Sequence, residues 1–455
     1  MKTKLLFSIV YFLIICIKQV NAQVCFSSAI NFAADTFQTT IINADFNGDG
    51  KIDLAVTNST EDGKVSILMG SGTGSFSATT YSNVGAIPWG ITCGDFNSDG
   101  KLDLITANDG SYNCYVLLGN GAGSFSLANS CGGIQDHLSI TNADFNNDGK
   151  QDIATVNDYD NSIYVLLGNG TGGFGSAITY TVGTYPWAII NEDFNQDGKI
   201  DLAVINNSSN NLSILLGNGL GSFSSATSFS LTGSPTSLIS KDFNGDAKLD
   251  LIITNYGANN NISLLLGNGV GSFSLDTSFS ANNGPVSIAS SDFDGDSKLD
   301  LAVVNRFSND VSILLGNGLG RFAPSVNFPV GTNPWSITTA DFNGDGKADL
   351  ATANFGSNNV SVLLNCTATG IANFNTENVI SVYPNPTNST VNIEFHSKTE
   401  TQIIICDMMG RIVYTKNCNE SSGKYCLDIS TLSSGIYMVN LVTDKMKVCQ
   451  KLIKN

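Results

Sequence analysis

Positive charge is scarce in this chain. Of 455 residues, 22 are Lys or Arg against 39 Asp or Glu, and the formal net charge is −17. Binding to a phosphate backbone needs a basic patch, and no run of Lys or Arg occurs before the last dozen residues, so a nucleic-acid partner is excluded. Histidine is nearly missing: His137 and His396 are the only two, too far apart in sequence to suggest a catalytic pair. Helical apolar spacing is absent from the body of the chain, which excludes α/β crossovers. One continuous apolar run exists, Leu5 to Ile17, and its 13 residues fall short of the roughly 20 that a spanning helix needs. Lys2 and Lys4 precede it and Val20-Asn21-Ala22 follows, the pattern of a secretory signal peptide over residues 1–22. No transmembrane segment is expected in the mature chain. Removal of Cys16 leaves nine of the ten cysteines to enter an oxidising compartment, where disulfides form.

What the chain has is one acidic decapeptide, repeated. DFNGDGKIDL starts at Asp45, and close copies start at Asp95, Asp144, Asp193, Asp242, Asp292 and Asp341, at intervals of 49 or 50 residues. Such a period marks one structural unit in an array. Within the fourth unit PWAIINEDFN, DLAVIN, NLSILLG and SSATSFSL read as four short strands joined by tight Gly-, Asn- and Asp-rich turns. Four strands per unit of this length predict an all-β fold, a seven-bladed β-propeller over residues 23–366. The ends of the array favour a ring: FSSAINFA, before the first motif, resembles a surplus fourth strand, and the last unit stops after its third strand, VSVLLN. If the first segment completes the last blade, no edge is left unpaired.

The decapeptide is a set of hard oxygen donors. In the first copy these are the side chains of Asp45, Asn47, Asp49 and Asp53, with Gly50 allowing the sharp turn that aims the Lys51 carbonyl inward. The equivalent residues are Asp95, Asn97, Asp99, Lys101 and Asp103; Asp144, Asn146, Asp148, Lys150 and Asp152; Asp193, Asn195, Asp197, Lys199 and Asp201. The last three copies supply Asp242, Asn244, Asp246, Lys248 and Asp250; Asp292, Asp294, Asp296, Lys298 and Asp300; and Asp341, Asn343, Asp345, Lys347 and Asp349. Oxygen-only cages suit Ca²⁺, whereas Zn²⁺ wants nitrogen or sulfur and Mg²⁺ prefers to keep its waters. The EF-hand begins in the same way, but it needs a Glu at position 12, where this chain has Val56, Thr106 or Thr352, and helical flanks. Up to seven Ca²⁺ are expected. The sixth copy carries four Asp and the other six carry three each, so 22 of the 39 acidic residues belong to these loops. The acidity is therefore largely intrinsic to the fold and says little about a partner.

With DFNxDGKxDL followed by VSxLLGNGxGxF in seven ordered copies, residues 26 to 366 resemble the FG-GAP/VCBS repeats of integrin-α-type propellers. The resemblance implies that each acidic loop joins the first and second strands of its blade and binds Ca²⁺ on one face. Ala247 and Ser297 replace the Gly at position 6, where a left-handed backbone costs other residues about 1 kcal/mol, so the fifth and sixth sites are expected to bind more weakly. After Cys366 the composition shifts. Residues 367–378 read as a linker, and 379–455 alternate like a small β-sandwich. Tyr383-Pro384-Asn385-Pro386, Met409-Gly410-Arg411 and Gly435-Ile436-Tyr437 make this segment similar to the C-terminal sorting domain of type IX secretion. That resemblance implies the type IX machinery as a partner, and a protein that is secreted or attached to the outer cell surface.

Aligning LLNC at 363–366 with LLGN at 215–218 puts Cys25 and Cys366 at the two ends of a hairpin whose turn is missing, so a disulfide is expected there. Cys114 with Cys131 and Cys418 with Cys426 are weaker candidate pairs, and Cys93 is the expected unpaired thiol. Six residues ahead of the motifs stand Thr39, Trp89, Leu138, Trp187, Thr236, Val286 and Trp335, which should surround the channel on the face opposite the loops. There the tryptophans either stack on a sugar or peptide, or wedge between blades as packing. With short loops and no glycosidase carboxylate pair to single out, no catalytic set is expected. The chain reads as an exported calcium-binding module for adhesion to an extracellular glycan or protein. The alternative is a carbohydrate-active enzyme, or an accessory subunit of one, that uses the propeller face.

Overall fold

The computed structural model describes residues 24–132, 137–257, 260–367, 380–396, 401–407, 411–418, 422–442 and 447–455. The expected signal peptide, the linker from residue 368 onward, Met409-Gly410 and the side chains of both histidines lie outside what is described. The chain divides into two compact units, one ending at Thr369 and one starting at Gly370. Every regular element among the described residues is a strand.

The first unit is a seven-bladed propeller. Blade 1 shows how each blade follows from its sequence: strands Gln38–Ala44, Asp53–Asn58, Lys64–Leu68 and Thr80–Asn83 pair in chain order as an antiparallel sheet. The second strand, DLAVTN, is buried at all six positions because neighbouring blades cover both of its faces. Its residues are accordingly apolar in succession rather than alternating, and Leu54, Ala55 and Val56 are wholly buried. The fourth strand, TYSN, is the rim and is largely exposed. Five further sheets repeat this order along the chain, and the seventh pairs Pro334–Ala340, Asp349–Asn354 and Asn359–Leu363 with Ile30–Ala33 from the beginning of the chain. The ring therefore closes as expected, and the edges that remain are the short outer strands of the blades.

Aromatic pairs stitch the blades together. The Phe of each acidic motif meets, edge to face or tilted, the Phe that ends the glycine-rich turn of the next blade. Phe46–Phe125, Phe145–Phe223 and Phe194–Phe273 have centroids 5.6, 5.4 and 5.6 Å apart. The seam obeys the same rule, with Phe293–Phe26 at 5.8 Å and Phe342–Phe76 at 5.6 Å. Pairs of this kind contribute roughly 0.5–1.5 kcal/mol beyond their buried area.

A disulfide between Cys25 and Cys366 staples the seam, with Cα atoms 5.0 Å apart across a sequence separation of 341. Around it the missing hairpin is rebuilt by separate bonds: Cys366 N donates to Cys25 O at 2.8 Å and Ser27 N to Leu364 O at 2.8 Å. The weaker pairings are not formed. Cys114 and Cys131 face each other on adjacent strands but remain buried thiols, and burial pushes Cys131 up to about 12. Cys418 and Cys426 sit on different sheets, one buried and the other exposed, so no bond can join them without backbone movement. Cys93 is a free, half-buried thiol.

The second unit is a β-sandwich. A three-stranded sheet (Ile380–Tyr383, Thr390–His396, Ser422–Asp428) and a four-stranded sheet (Ile412–Cys418, Thr401–Asp407, Gly435–Val442, Lys447–Lys454) share one core. Val391, Ile393, Ile403, Ile405, Val439 and Leu452 are wholly buried in it.

Candidate functional site: two faces of one ring

Each acidic loop joins the first and second strands of its blade, and its backbone amides are wound around its first carboxylate. Asp45 Oδ2 accepts the Gly50 amide at 2.8 Å, and Oδ1 accepts those of Gly48 and Asp49 at 2.8 and 3.1 Å. Asn47 Oδ1 accepts the Asp49 amide at 2.9 Å, and Asp49 Oδ1 accepts that of Lys51 at 3.0 Å. The Lys51 ammonium pairs with Asp49 at 3.2 Å, an arrangement all seven loops share. Ala247 and Ser297 adopt the left-handed backbone at φ 63° and 65°, and their amides still reach the first Asp at 2.8 and 2.7 Å. The loop shape is thus preserved at the two positions that lack Gly.

The last Asp of the motif holds a structural post as well. Asp53, Asp103, Asp152, Asp201, Asp250, Asp300 and Asp349 are all wholly buried. Both oxygens of Asp53 accept backbone amides, from Phe46 at 3.0 Å and from Gly70 at 2.7 Å. Gly70 belongs to the glycine-rich turn between the third and fourth strands, so this carboxylate ties the two turns of a blade together. In the seventh blade, which lacks that turn, Asn365 takes the place of the glycine at 2.7 Å. Sequence reasoning assigned this Asp to metal alone; its second role needs the third strand to arrive beside it.

The donor set fits a divalent cation. Three carboxylates and one ammonium leave each loop with two negative charges, and the sixth with three because of Asp294. Burial pushes Asp201, Asp250 and Asp349 up to about 6 and Asp300 up to about 7, with neighbouring carboxylates acting in the same direction. A cation held at the loop would offset both effects. In the sixth loop one oxygen from each of Asp292, Asp294 and Asp300 lies within 4.8 Å of the others.

The opposite face is built differently. All seven positions expected around the channel line one cavity of about 220 Å³. At Thr39 and Thr236 the hydroxyl bonds across to the next blade, to Pro88 O and Pro285 O at 3.1 Å each. The tryptophans instead meet one another. Trp89 packs edge to face on Trp187 at 6.1 Å and on Trp335 at 5.6 Å, and all three are half-buried. Trp187 also packs against the core between blades four and five, the wedge role foreseen for it.

Sequence reasoning missed a second ring on this face. A wholly or almost wholly buried Asn ends the second strand of every blade, and its amide ties that strand to the third, as Asn305 does to Ser312 at 2.8 Å. The residue after it points the chain onto the tryptophan face, and here the blades differ: Ser59, Asp109, Asp158, Asn207, Tyr256, Arg306 and Phe355. Asn207, Tyr256 and Arg306 join Trp187, Thr236, Val286 and Trp335 around a pocket of about 180 Å³. The signal available in the sequence was the one cation in a column of otherwise neutral or acidic residues.

An FG-GAP-like repeat profile matches residues 45–106, 95–155, 144–191, 193–253, 242–303 and 292–352, and a secretion system C-terminal sorting domain profile matches residues 381–455. No curated protein matches the chain in sequence. Among solved structures, BBS1N in complex with ARL6DN is similar at 13% identity and a TM-score of 0.53, over 74% of this chain and 96% of that one. The periplasmic gluconolactonase PpgL of Pseudomonas aeruginosa is similar at 14% identity and a TM-score of 0.50, over 66% of this chain and 86% of that one. At these identities the likeness concerns the fold alone. With repeats matched over more than half of its length, the chain belongs to the FG-GAP-like repeat family, and its sorting domain marks it as a type IX export substrate that is secreted or attached to the cell surface.

Proposed function

We propose that the exported propeller is a calcium-binding adhesion module that holds an extracellular glycan or protein on the face opposite its acidic loops, and that it has no catalytic role. The observation that carries this reading is the convergence of Trp89, Trp187 and Trp335 on one cavity. Around it the same face exposes Phe37, Tyr112, Tyr159 and Phe307. Rigid aromatic surface lets a partner stack at little entropic cost, and a well-placed Trp contributes about 2 kcal/mol or more to an interface. The calcium assignment rests on seven oxygen-only loops, each left with excess negative charge. Bound ions would hold the loops rigid and, at two charges apiece, largely neutralise the chain.

Single replacement of each Trp by Ala tests this, once the calcium-loaded fold of each variant is confirmed by circular dichroism. Binding to extracted cell-surface glycans and matrix proteins should weaken at least tenfold for Trp187→Ala or Trp335→Ala. Folded variants that all bind as the parent does would place the interface elsewhere. New reducing ends after incubation with the glycans would instead favour an enzyme.

A further inference from the structure

Arg306 is a cation out of place. It sits half-buried on a protein of net charge −17, yet among the described residues no carboxylate lies within ion-pair distance of it. Its guanidinium stacks over the Trp335 ring at 4.1 Å from the centroid, and its Nε–H donates to Asn333 Oδ1 at 2.6 Å. Those two contacts fix the plane of the group and use one of its five N–H donors, leaving the two terminal nitrogens, which form the fork that grips a carboxylate, without an acceptor among the described residues. Loss of hydration holds its pKa below the usual arginine range. A half-buried cation without a counter-ion, its fork open toward the pocket, is a place where an anionic ligand would be held.

The surroundings say what kind of anion. The pocket is about 180 Å³, below the roughly 300–1,000 Å³ usual for a whole small ligand, so it suits one residue of a larger molecule. Its walls are aromatic at Trp187 and Trp335, with the phenol of Tyr256 and the side chain of Asn207 beside them, while the Thr236 hydroxyl at its floor is bonded to Pro285 O. A ring with one carboxylate and several hydroxyls matches that mixture. An acidic peptide would bring a flexible backbone and several charges to a pocket with one cation. On the equivalent ring positions the two carboxylates, Asp109 and Asp158, belong to blades two and three, across the seven-fold ring from Arg306 in blade six, which leaves Arg306 the one cation of that ring.

We propose that this pocket receives one uronic-acid residue of a glycan, its carboxylate on the free fork of Arg306 and its ring against the aromatic wall of Trp187 and Trp335. This deepens the adhesion reading and rests on its claim that the tryptophan face binds a glycan. Because the chain's three tryptophans all line the neighbouring cavity, intrinsic fluorescence of the calcium-loaded protein reports on this face without a label. The probes are cellobiouronic acid, its methyl ester, cellobiose and the peptide Gly-Glu-Gly. Cellobiouronic acid should change the emission saturably, with the ester and cellobiose at least tenfold weaker. Arg306→Gln should bring the acid down to the level of cellobiose, and Arg306→Lys, which keeps the charge but loses the fork, should fall between. The proposal is overturned if the ester binds as well as the acid, if a folded Arg306→Gln protein binds as the parent does, or if the peptide binds and the sugar acid does not. Should cell-surface glycans still perturb the tryptophans of Arg306→Gln as they do the parent, the carboxylate assignment fails while the adhesion face stands. If no glycan perturbs the parent, both fail.

Discussion

The two faces of the ring are made by the same seven blades and look nothing alike. On the loop face each blade repeats three carboxylates, the same Lys–Asp pair and the amide bond from position 6 to the first Asp, down to Ala247 and Ser297, which take up the left-handed backbone that glycine adopts elsewhere. On the opposite face two rings of equivalent positions vary between blades, with Trp, Thr, Leu and Val in one and Ser, Asp, Asn, Tyr, Arg and Phe in the other. Uniformity follows from the wiring. The last Asp of each loop ties two turns of its blade together, so the loops cannot vary without loosening the sheets. On the other face the buried Asn of each blade carries the shared wiring, and the two variable rings have no bond common to all seven blades, so they are freer to specialise, and a recognition surface belongs where the fold leaves that freedom.

The largest expected effect comes from removing the ions. If the loops hold Ca²⁺, each site saturated to a hundred times its dissociation constant stabilises the native state by about 2.7 kcal/mol, and seven sites add together. Exhaustive EGTA treatment should therefore lower the melting temperature steeply in calorimetry, and an unchanged melt would remove the metal from the loop face. The fifth loop should release its ion first, because Ala247 bears left-handed strain without the extra carboxylate that Asp294 gives the sixth.

Next in size is the seam. A double Cys25→Ser, Cys366→Ser protein loses a cross-link that closes a loop of 341 residues, on the order of 5 kcal/mol in the chain-entropy account. Urea unfolding of that variant should show a lower midpoint. A midpoint equal to the parent's would mean that the aromatic pairs and strand bonds close the ring unaided.

A smaller effect separates the two roles of the loop carboxylates. Asp152→Ala leaves the Phe145 and Gly168 amides, bonded at 2.9 and 2.7 Å, without acceptors in a buried site, at about 1–3 kcal/mol each, with or without calcium. Asp148→Ala, at the exposed rim, should cost little in EGTA and show its loss only when calcium is present. Equal losses for the two variants in EGTA would contradict the division between a structural and a metal-holding Asp. The Arg306 variants complete the comparison, since they should alter binding strongly and the melting temperature little.

Much of this was legible without coordinates because the repeat makes seven statements of the same rule. Seven motifs at constant spacing, each with four strand-like segments, are compatible with few architectures, and the mismatched ends at Phe26 and Asn365 point to each other. The sulfur pairing of Cys25 with Cys366 followed from alignment alone. The pairing of Cys114 with Cys131 did not form although the strand register brings them together, and the fate of Cys418 and Cys426 depended on which of two sheets each strand joined.

Local chemistry is written along the chain: donor spacing in the loops, turn residues, and the apolar runs of strands buried on both faces depend on neighbours a few residues away, and the sequence by itself determined them. What the tertiary structure alone decided are the meetings of residues from different blades. Trp89 touches Trp187 and Trp335, and Arg306 lies over Trp335 with no carboxylate in ion-pair distance among the described residues, because closing the ring brings together positions tens to hundreds of residues apart. No local pattern records those distances; they are set by the curvature of seven packed sheets.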